Sequence, residues 1–156
     1  MKFSAFIVAE AIRTDLKADT PRSAVDEMVG ALIDAGIVAD DHRRRLVDAV
    51  MRREKKGTTG FGNGVAIPHA KHEGVEGVVG AVALSRDGLD FEALDGESVH
   101  LVFLLLSNPE APEAHLKAME HIFRSIKNDH LRRFMTQAAS RRELVDVLHE
   151  ADEETG

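Results

Sequence analysis

The chain has no cysteine. Disulfides, thiolate metal centres and cysteine nucleophiles are therefore excluded, and a reducing cytoplasm is the expected setting. No apolar run approaches the roughly 20 residues needed to cross a bilayer, so direct membrane insertion is not expected. The stretch Met1 to Glu10 meets an acid too early to hold the apolar core of a secretory signal. Positive charge is in deficit: 20 Lys and Arg stand against 27 Asp and Glu, a formal net charge of −7. Such a balance suits basic protein partners better than nucleic acid, whose phosphates a binding surface must neutralise. Internal repeats, low-complexity tracts and interdomain linkers are also missing.

What is present reads as one folded domain. At 156 residues, 44% hydrophobic and 30% charged, the chain can bury a single core and has an ordinary globular balance. Thr20-Pro21 is a helix start, a cap followed by proline at the first helical position. Val25, Met28, Val29, Leu32 and Ile33 then recur at helical spacing until Gly36. Asp40 or Asp41 caps a second helix with the apolar face Leu46, Val47, Val50 and Met51, ending at Arg52-Arg53-Glu54-Lys55-Lys56. The period changes in the middle of the chain. Val78 to Leu84 reads as a strand, Ser85-Arg86-Asp87-Gly88 as a turn, and Val99 to Leu106 as a strand buried on both faces. After the break at Asn108-Pro109 come three helices, the first from about Glu113 to Lys127 with Leu116, Met119, Ile122, Phe123 and Ile126 apolar. A second starts near Asn128 with Leu131, Phe134 and Met135, and a third is capped by Ser140 and carries Leu144, Val145 and Leu148. This order predicts a three-layer α/β/α sandwich with a central mixed sheet, residues 1–150 forming the single domain and 151–156 a frayed tail.

The most informative stretch is Gly57-Thr58-Thr59-Gly60-Phe61-Gly62-Asn63-Gly64-Val65-Ala66-Ile67-Pro68-His69. Four glycines fall in the eight residues from Gly57 to Gly64, too many for a helix or an ordinary strand. A short apolar strand, Val65-Ala66-Ile67, ends at Pro68, whose fixed φ gives the next side chain a set direction. That side chain is His69, which reads as a displayed nucleophile. The glycines match neither Gly-x-Gly-x-x-Gly nor a phosphate loop ending in Gly-Lys-Ser/Thr, which disfavours nucleotide binding.

Of 8 histidines most read as bystanders. His42 sits in a polar stretch, His130 and His149 near helix ends, and His100 inside a buried strand. His121 shares a helical face with Lys117, Arg124 and Asn128 and is expected to face water. His115 continues the stripe of 119, 122 and 126 and falls in the first turn of its helix, whose dipole disfavours imidazolium and favours anions. On the residues alone, a half-buried packing histidine is an equal reading. His69 and His72 form a weak His-x-x-His metal pair without further ligands.

The run from Arg53-Glu54 through Gly60-Phe61-Gly62-Asn63-Gly64-Val65-Ala66-Ile67-Pro68-His69 to Lys71 resembles a family signature. It is similar to the IIA domain of the fructose–mannitol class in the bacterial phosphoenolpyruvate-dependent phosphotransferase system, a class that includes nitrogen-regulatory IIA proteins. The likeness extends through Ala114-His115-Leu116 to the final helix, nearly the whole chain. It implies that His69 is the phosphorylated residue, through Nε2, that His115 is the second active-site histidine, and that Arg53 is the active-site arginine. Ser107-Asn108-Pro109 departs from relatives, which often approach this proline with apolar residues.

The resemblance further implies that phosphoryl arrives from the phosphohistidine of the small carrier HPr or a paralogue and passes to a cysteine on a IIB domain. In this reading His115 donates a hydrogen bond to the phosphoryl group and Arg53 offers it a charged fork. Backbone amides of Gly62, Asn63 and Gly64 supply further donors, and no metal or cofactor is required. A fused IIB would need its cysteine and a fused IIC its membrane spans, so a stand-alone IIA is the expectation. Two roles follow: a sugar-transport phosphocarrier, or a regulatory module whose phosphorylation state gates binding to target proteins. The Gly-Asn-Gly-Val-Ala-Ile-Pro-His wording leans towards the regulatory branch. A metal hydrolase built on His69, His72 and His115 is the outside alternative.

Overall fold

The computed structural model describes residues 1–155. Its elements are α1 (Phe3–Phe6), α2 (Pro21–Asp34), α3 (Arg43–Lys56), β1 (Gly60–Gly62), β2 (Val65–Ala66), β3 (His69–Lys71), β4 (Val78–Leu89), β5 (Val99–Ser107), α4 (Pro112–Lys127), α5 (Asp129–Gln137) and α6 (Arg141–Thr155).

β5 is the spine of a five-stranded mixed sheet. β4 runs antiparallel along one side of it, with Ala81 opposite Leu104 and Val82 opposite Phe103. Two short strands share its other side in the parallel sense: β2 with Val65 opposite Leu101, and β3 with His69 opposite Leu105. Beyond β4, the N-terminal segment adds a partial edge through parallel bridges at Ile7 and Arg13.

Alternation along β5 divides the core. Val102, Leu104 and Leu106 join Val25, Met28, Leu32, Leu46 and Val50 beneath α2 and α3. Leu101, Phe103 and Leu105 join Phe3, Phe6, Ile122, Leu131 and Leu144 beneath α1 and α4–α6. A strand covered on both faces must be apolar at nearly every position, which is why its period vanishes from the sequence. The expected α/β/α sandwich is the observed architecture.

Local chemistry fixes the helix ends. At α2, Thr20 Oγ1 accepts from Ser23 N–H at 3.1 Å and Ser23 Oγ accepts from Thr20 N–H at 3.1 Å, a reciprocal cap. Gly36, with φ 76°, closes it while Ile37 N–H returns to the Leu32 carbonyl at 3.0 Å. Asn128 caps α5 by accepting from Leu131 N–H at 3.1 Å.

Four expectations are corrected. The segment Ser85 to Gly88 is a register irregularity within β4, which continues to Leu89, and not a turn between elements. Leu116 and Phe134 are 58% and 46% exposed instead of packed. His121 is buried, its Nε2 2.8 Å from Asp152 Oδ1 and its ring 4.4 Å from Phe3. The tail expected to fray over 151–156 is helical through Thr155, and Gly156 lies outside the described residues. Asp152 is buried and accepts from Phe3 N–H at 2.6 Å and Ser4 N–H at 3.1 Å, clasping α6 to the N-terminal end of α1.

Candidate active site

β2 and β3 lie in line along one edge of β5, interrupted at Ile67-Pro68. Pro68 lacks an N–H but its carbonyl still accepts from Leu105 N–H at 3.0 Å, so the strand resumes in register at His69. Paired residues share a face, so His69 takes the same side as Leu105, towards α4. His69 Nδ1 stands 2.8 Å from the Ile67 carbonyl oxygen. A carbonyl only accepts, so Nδ1 carries the proton and Nε2 keeps its lone pair.

His115 reaches the same place from above. The turn after β5 is locked by Asn108, whose amide Nδ2 donates to the Val75 carbonyl at 2.8 Å and whose Oδ1 accepts from Glu110 N–H at 2.9 Å. Pro112 then opens α4, placing His115 in its first turn. Ser107 falls two residues after Leu105, on the α4 face, and its Oγ lies 2.7 Å from His115 Nδ1. The His69 and His115 ring centres are 5.6 Å apart with planes inclined by 57°.

The two rings share a cavity of about 470 Å³ with Arg52, Arg53 and Lys56 of α3 and Lys71 of β3. On α3, positions 49, 52, 53 and 56 face it at the spacing of one helical stripe. Arg53 Nη1 donates to the Gly57 carbonyl at 2.8 Å, which pins the guanidinium at the helix end. Glu54 is held elsewhere, its carboxylate accepting from Thr59 N–H at 2.7 Å and Thr59 Oγ1 at 2.5 Å.

Electrostatics make both imidazoles neutral bases near pH 7. Burial pushes the His69 pKa below its ordinary value, against the Ile67 carbonyl that raises it; Arg53 and Lys71 lower it further and Glu54 raises it. His115 is lowered to about 4, first by burial and then by the charges of His69 and Lys71. The cavity thus holds an unprotonated ring nitrogen in a cationic surround, a site suited to a dianionic group.

His69, His115 and Arg53 are brought together as the sequence reading expects. Gly62, Asn63 and Gly64 are not, and that assignment is corrected. They form a β-hairpin turn, with Asn63 at φ 58° and Gly64 at φ 78°. Asn63 N–H is already given to Asp95 Oδ2 at 2.9 Å. The Gly64 carbonyl accepts from His100 and Leu101 N–H, whereas His69 pairs with Leu105. At about 3.3 Å per residue that places the turn roughly 13 Å along the strand from His69. His72 turns away towards His42, ring centres 5.5 Å apart, and accepts from Gly74 N–H at 2.9 Å. Among the described residues no cluster of three or more His, Cys, Asp or Glu is placed to hold a metal ion.

The residues the sequence reading missed are Ser107, Lys71, Arg52 and Lys56. The i, i+3, i+4 stripe on α3 and the two-residue strand period carried the signal for them, once the register of His69 against Leu105 was known.

Residues 5–151 match the family described as Phosphoenolpyruvate-dependent sugar phosphotransferase system, EIIA 2. This chain belongs to that family. Among relatives, this EIIA chain is 35% identical over 134 residues to the fructose-specific EIIA component of Haloferax volcanii, covering 86% of each protein. It is 32% identical over 148 residues to the nitrogen regulatory protein of Bradyrhizobium diazoefficiens, covering 95% of each. Identity is also 32% over 152 residues with the fructose-specific EIIABC component of Bacillus subtilis, where 97% of this chain spans 24% of that protein. In fold it is similar to the crystal structure of nitrogen regulatory protein IIA-Ntr from Neisseria meningitidis, with TM-score 0.83, 27% identity and coverage of 94% and 98% of the two chains. Among the described residues, no helix is long and apolar enough to cross a membrane.

Proposed function

We propose that this EIIA chain is a histidine phosphocarrier in which His69 accepts a phosphoryl group from the phosphohistidine of an HPr-type protein. The role is of the nitrogen-regulatory type, with the phosphorylation state of His69 governing which proteins bind. The observation that carries the reading is the His69 Nε2 lone pair, released by the bond of Nδ1 to the Ile67 carbonyl and facing His115 across a cationic cavity.

The transfer balances without a proton shuttle. His69 Nε2 forms the new N–P bond as the donor's N–P bond breaks, and the donor's ring nitrogen keeps the electron pair. The His69 ring gains positive character, and its retained Nδ1–H strengthens its bond to the Ile67 carbonyl. Arg53 and Lys71 balance charge on the equatorial oxygens, while His115 Nε2–H donates to one of them. Phosphoryl transfer of this kind rests on alignment and charge stabilisation, which these groups supply. Added phosphate brings roughly two negative charges to the cavity mouth, enough to remake an interface.

The likeness to IIA-Ntr over nearly the full length of both chains favours the regulatory role. The likeness to fructose-specific components supports a second reading, in which His69 passes phosphoryl to a cysteine of a separate IIB partner. Labelled phosphoprotein mixed with a cysteine-bearing IIB domain separates them. Retained label with phosphorylation-dependent capture of target proteins supports regulation. Rapid loss of label to the cysteine supports transport.

A further inference from the structure

We infer that Ser107 is a positioning residue that fixes the tautomer of His115 and so aims its Nε2–H at the group carried by His69. The inference rests on the phosphocarrier reading for its consequence but on geometry for its substance. Ser107 is fully buried at the end of β5, and His115 Nδ1, at 2.7 Å, is the one hydrogen-bond partner of its Oγ among the described residues.

A hydroxyl carries one proton to give and lone pairs to receive. If His115 Nδ1–H donated to Oγ, the buried hydroxyl proton would be left with no acceptor among the described residues, at a cost comparable to a lost hydrogen bond. If the hydroxyl donates to Nδ1, every proton is placed. The second arrangement makes Nδ1 the lone-pair atom of His115 and puts its proton on Nε2.

The pair is therefore complementary. His69 gives its Nδ1–H to the Ile67 carbonyl and shows a bare Nε2, while His115 receives at Nδ1 and shows Nε2–H. A nucleophile and a donor face one cavity, each set by one contact to the sheet. Without the hydroxyl, His115 populates both tautomers, and the Nδ1–H form turns a lone pair towards the phosphoryl oxygens. The strand period gives the placement its cause: Leu105 and Ser107 share the α4 face, and the locked Asn108 turn brings His115 back onto it.

The test compares Ser107→Ala and Ser107→Thr with the parent. Ring-nitrogen NMR on unphosphorylated protein is expected to show His115 protonated at Nε2 in the parent and in Ser107→Thr, and mixed in Ser107→Ala. With a phosphorylated HPr-type carrier, Ser107→Ala is expected to lose about tenfold in the rate of His69 phosphorylation, the share of one hydrogen bond, and Ser107→Thr to recover most of it. A parent His115 protonated at Nδ1, or a Ser107→Ala protein matching the parent in both tautomer and rate, overturns the inference. A parent that takes no phosphoryl overturns the phosphocarrier reading instead, and the tautomer spectra then decide the Ser107 assignment alone. Should Ser107→Ala unfold, Ser107→Thr and Ser107→Cys carry the comparison, a weak thiol donor being expected to fall between alanine and threonine.

Discussion

The imidazoles of His69 and His115 lie with ring centres 5.6 Å apart, one tied through Nδ1 to the Ile67 carbonyl at the break between β2 and β3, the other to Ser107 at the end of β5. Each therefore leaves Nε2 for the cavity between them. Neither tie comes from an acid: one is a backbone carbonyl and the other a serine hydroxyl. The rings are held in place without being charged.

That neutrality has a signature in stability. Folding depresses the pKa of both histidines, His115 to about 4, and that of the buried His121 as well. Between the unfolded histidine value near 6.5 and about 4, the unfolded chain binds protons that the folded chain refuses. Stability is expected to be full above about pH 6.5 and to fall as pH drops towards about 4. Urea midpoints at pH 7.5, 5.5 and 4.5 measure the slope, which His115→Gln makes shallower.

Arg53 pairs a planar fork with a bond to the Gly57 carbonyl. Arg53→Lys keeps the charge but loses the geometry. The phosphorylation rate of His69 is expected to fall roughly tenfold or more, the usual cost of a charge-assisted bond, with the circular dichroism spectrum unchanged.

Asp152 carries three bonds in the interior, to Phe3 N–H, Ser4 N–H and His121 Nε2. Asp152→Ala takes the acceptor from the buried Phe3 N–H and His121 Nε2 and from the part-buried Ser4 N–H. A loss of about 3 kcal/mol is expected, or a fall of about 9 °C in Tm for a chain of this size. Calorimetry checks it.

Asn63 sits in the left-handed region at φ 58° in a turn far from His69. Asn63→Ala is expected to cost about 1 kcal/mol of stability while leaving the phosphorylation rate within about twofold. A large rate loss would return the glycine-rich turn to the site.

The helices were legible where caps and period agreed, as at Thr20-Pro21 and Gly36, and β5 was legible because burial on both faces leaves an unbroken apolar run from Leu101 to Leu106. His69 was legible because a proline before it and a glycine-rich approach are a strong combination. Other features depend on partners distant in sequence. The charged helical neighbours of His121 predict that it faces water, but the carboxylate of Asp152 and the Phe3 ring make the interior hospitable to it. The buried stripe of α4 consequently runs through Ala118, His121, Ile122 and Ser125, and Leu116 faces outward. The edge at Ile7 and Arg13 is two isolated bridges, too short to leave a period. The resemblance implies that the amides of Gly62, Asn63 and Gly64 reach the phosphoryl group, and the strand register that sets them apart from His69 is not visible in the sequence.

The most direct measurement is the position of the phosphate itself. The protein is incubated with a phosphorylated HPr-type carrier, and phosphorus and ring-nitrogen NMR locate the product. One acid-labile phosphate at Nε2 of His69, absent from His69→Ala, is the predicted result. Phosphate that persists in His69→Ala, or that sits on His115 or on Nδ1 of His69, would contradict the account.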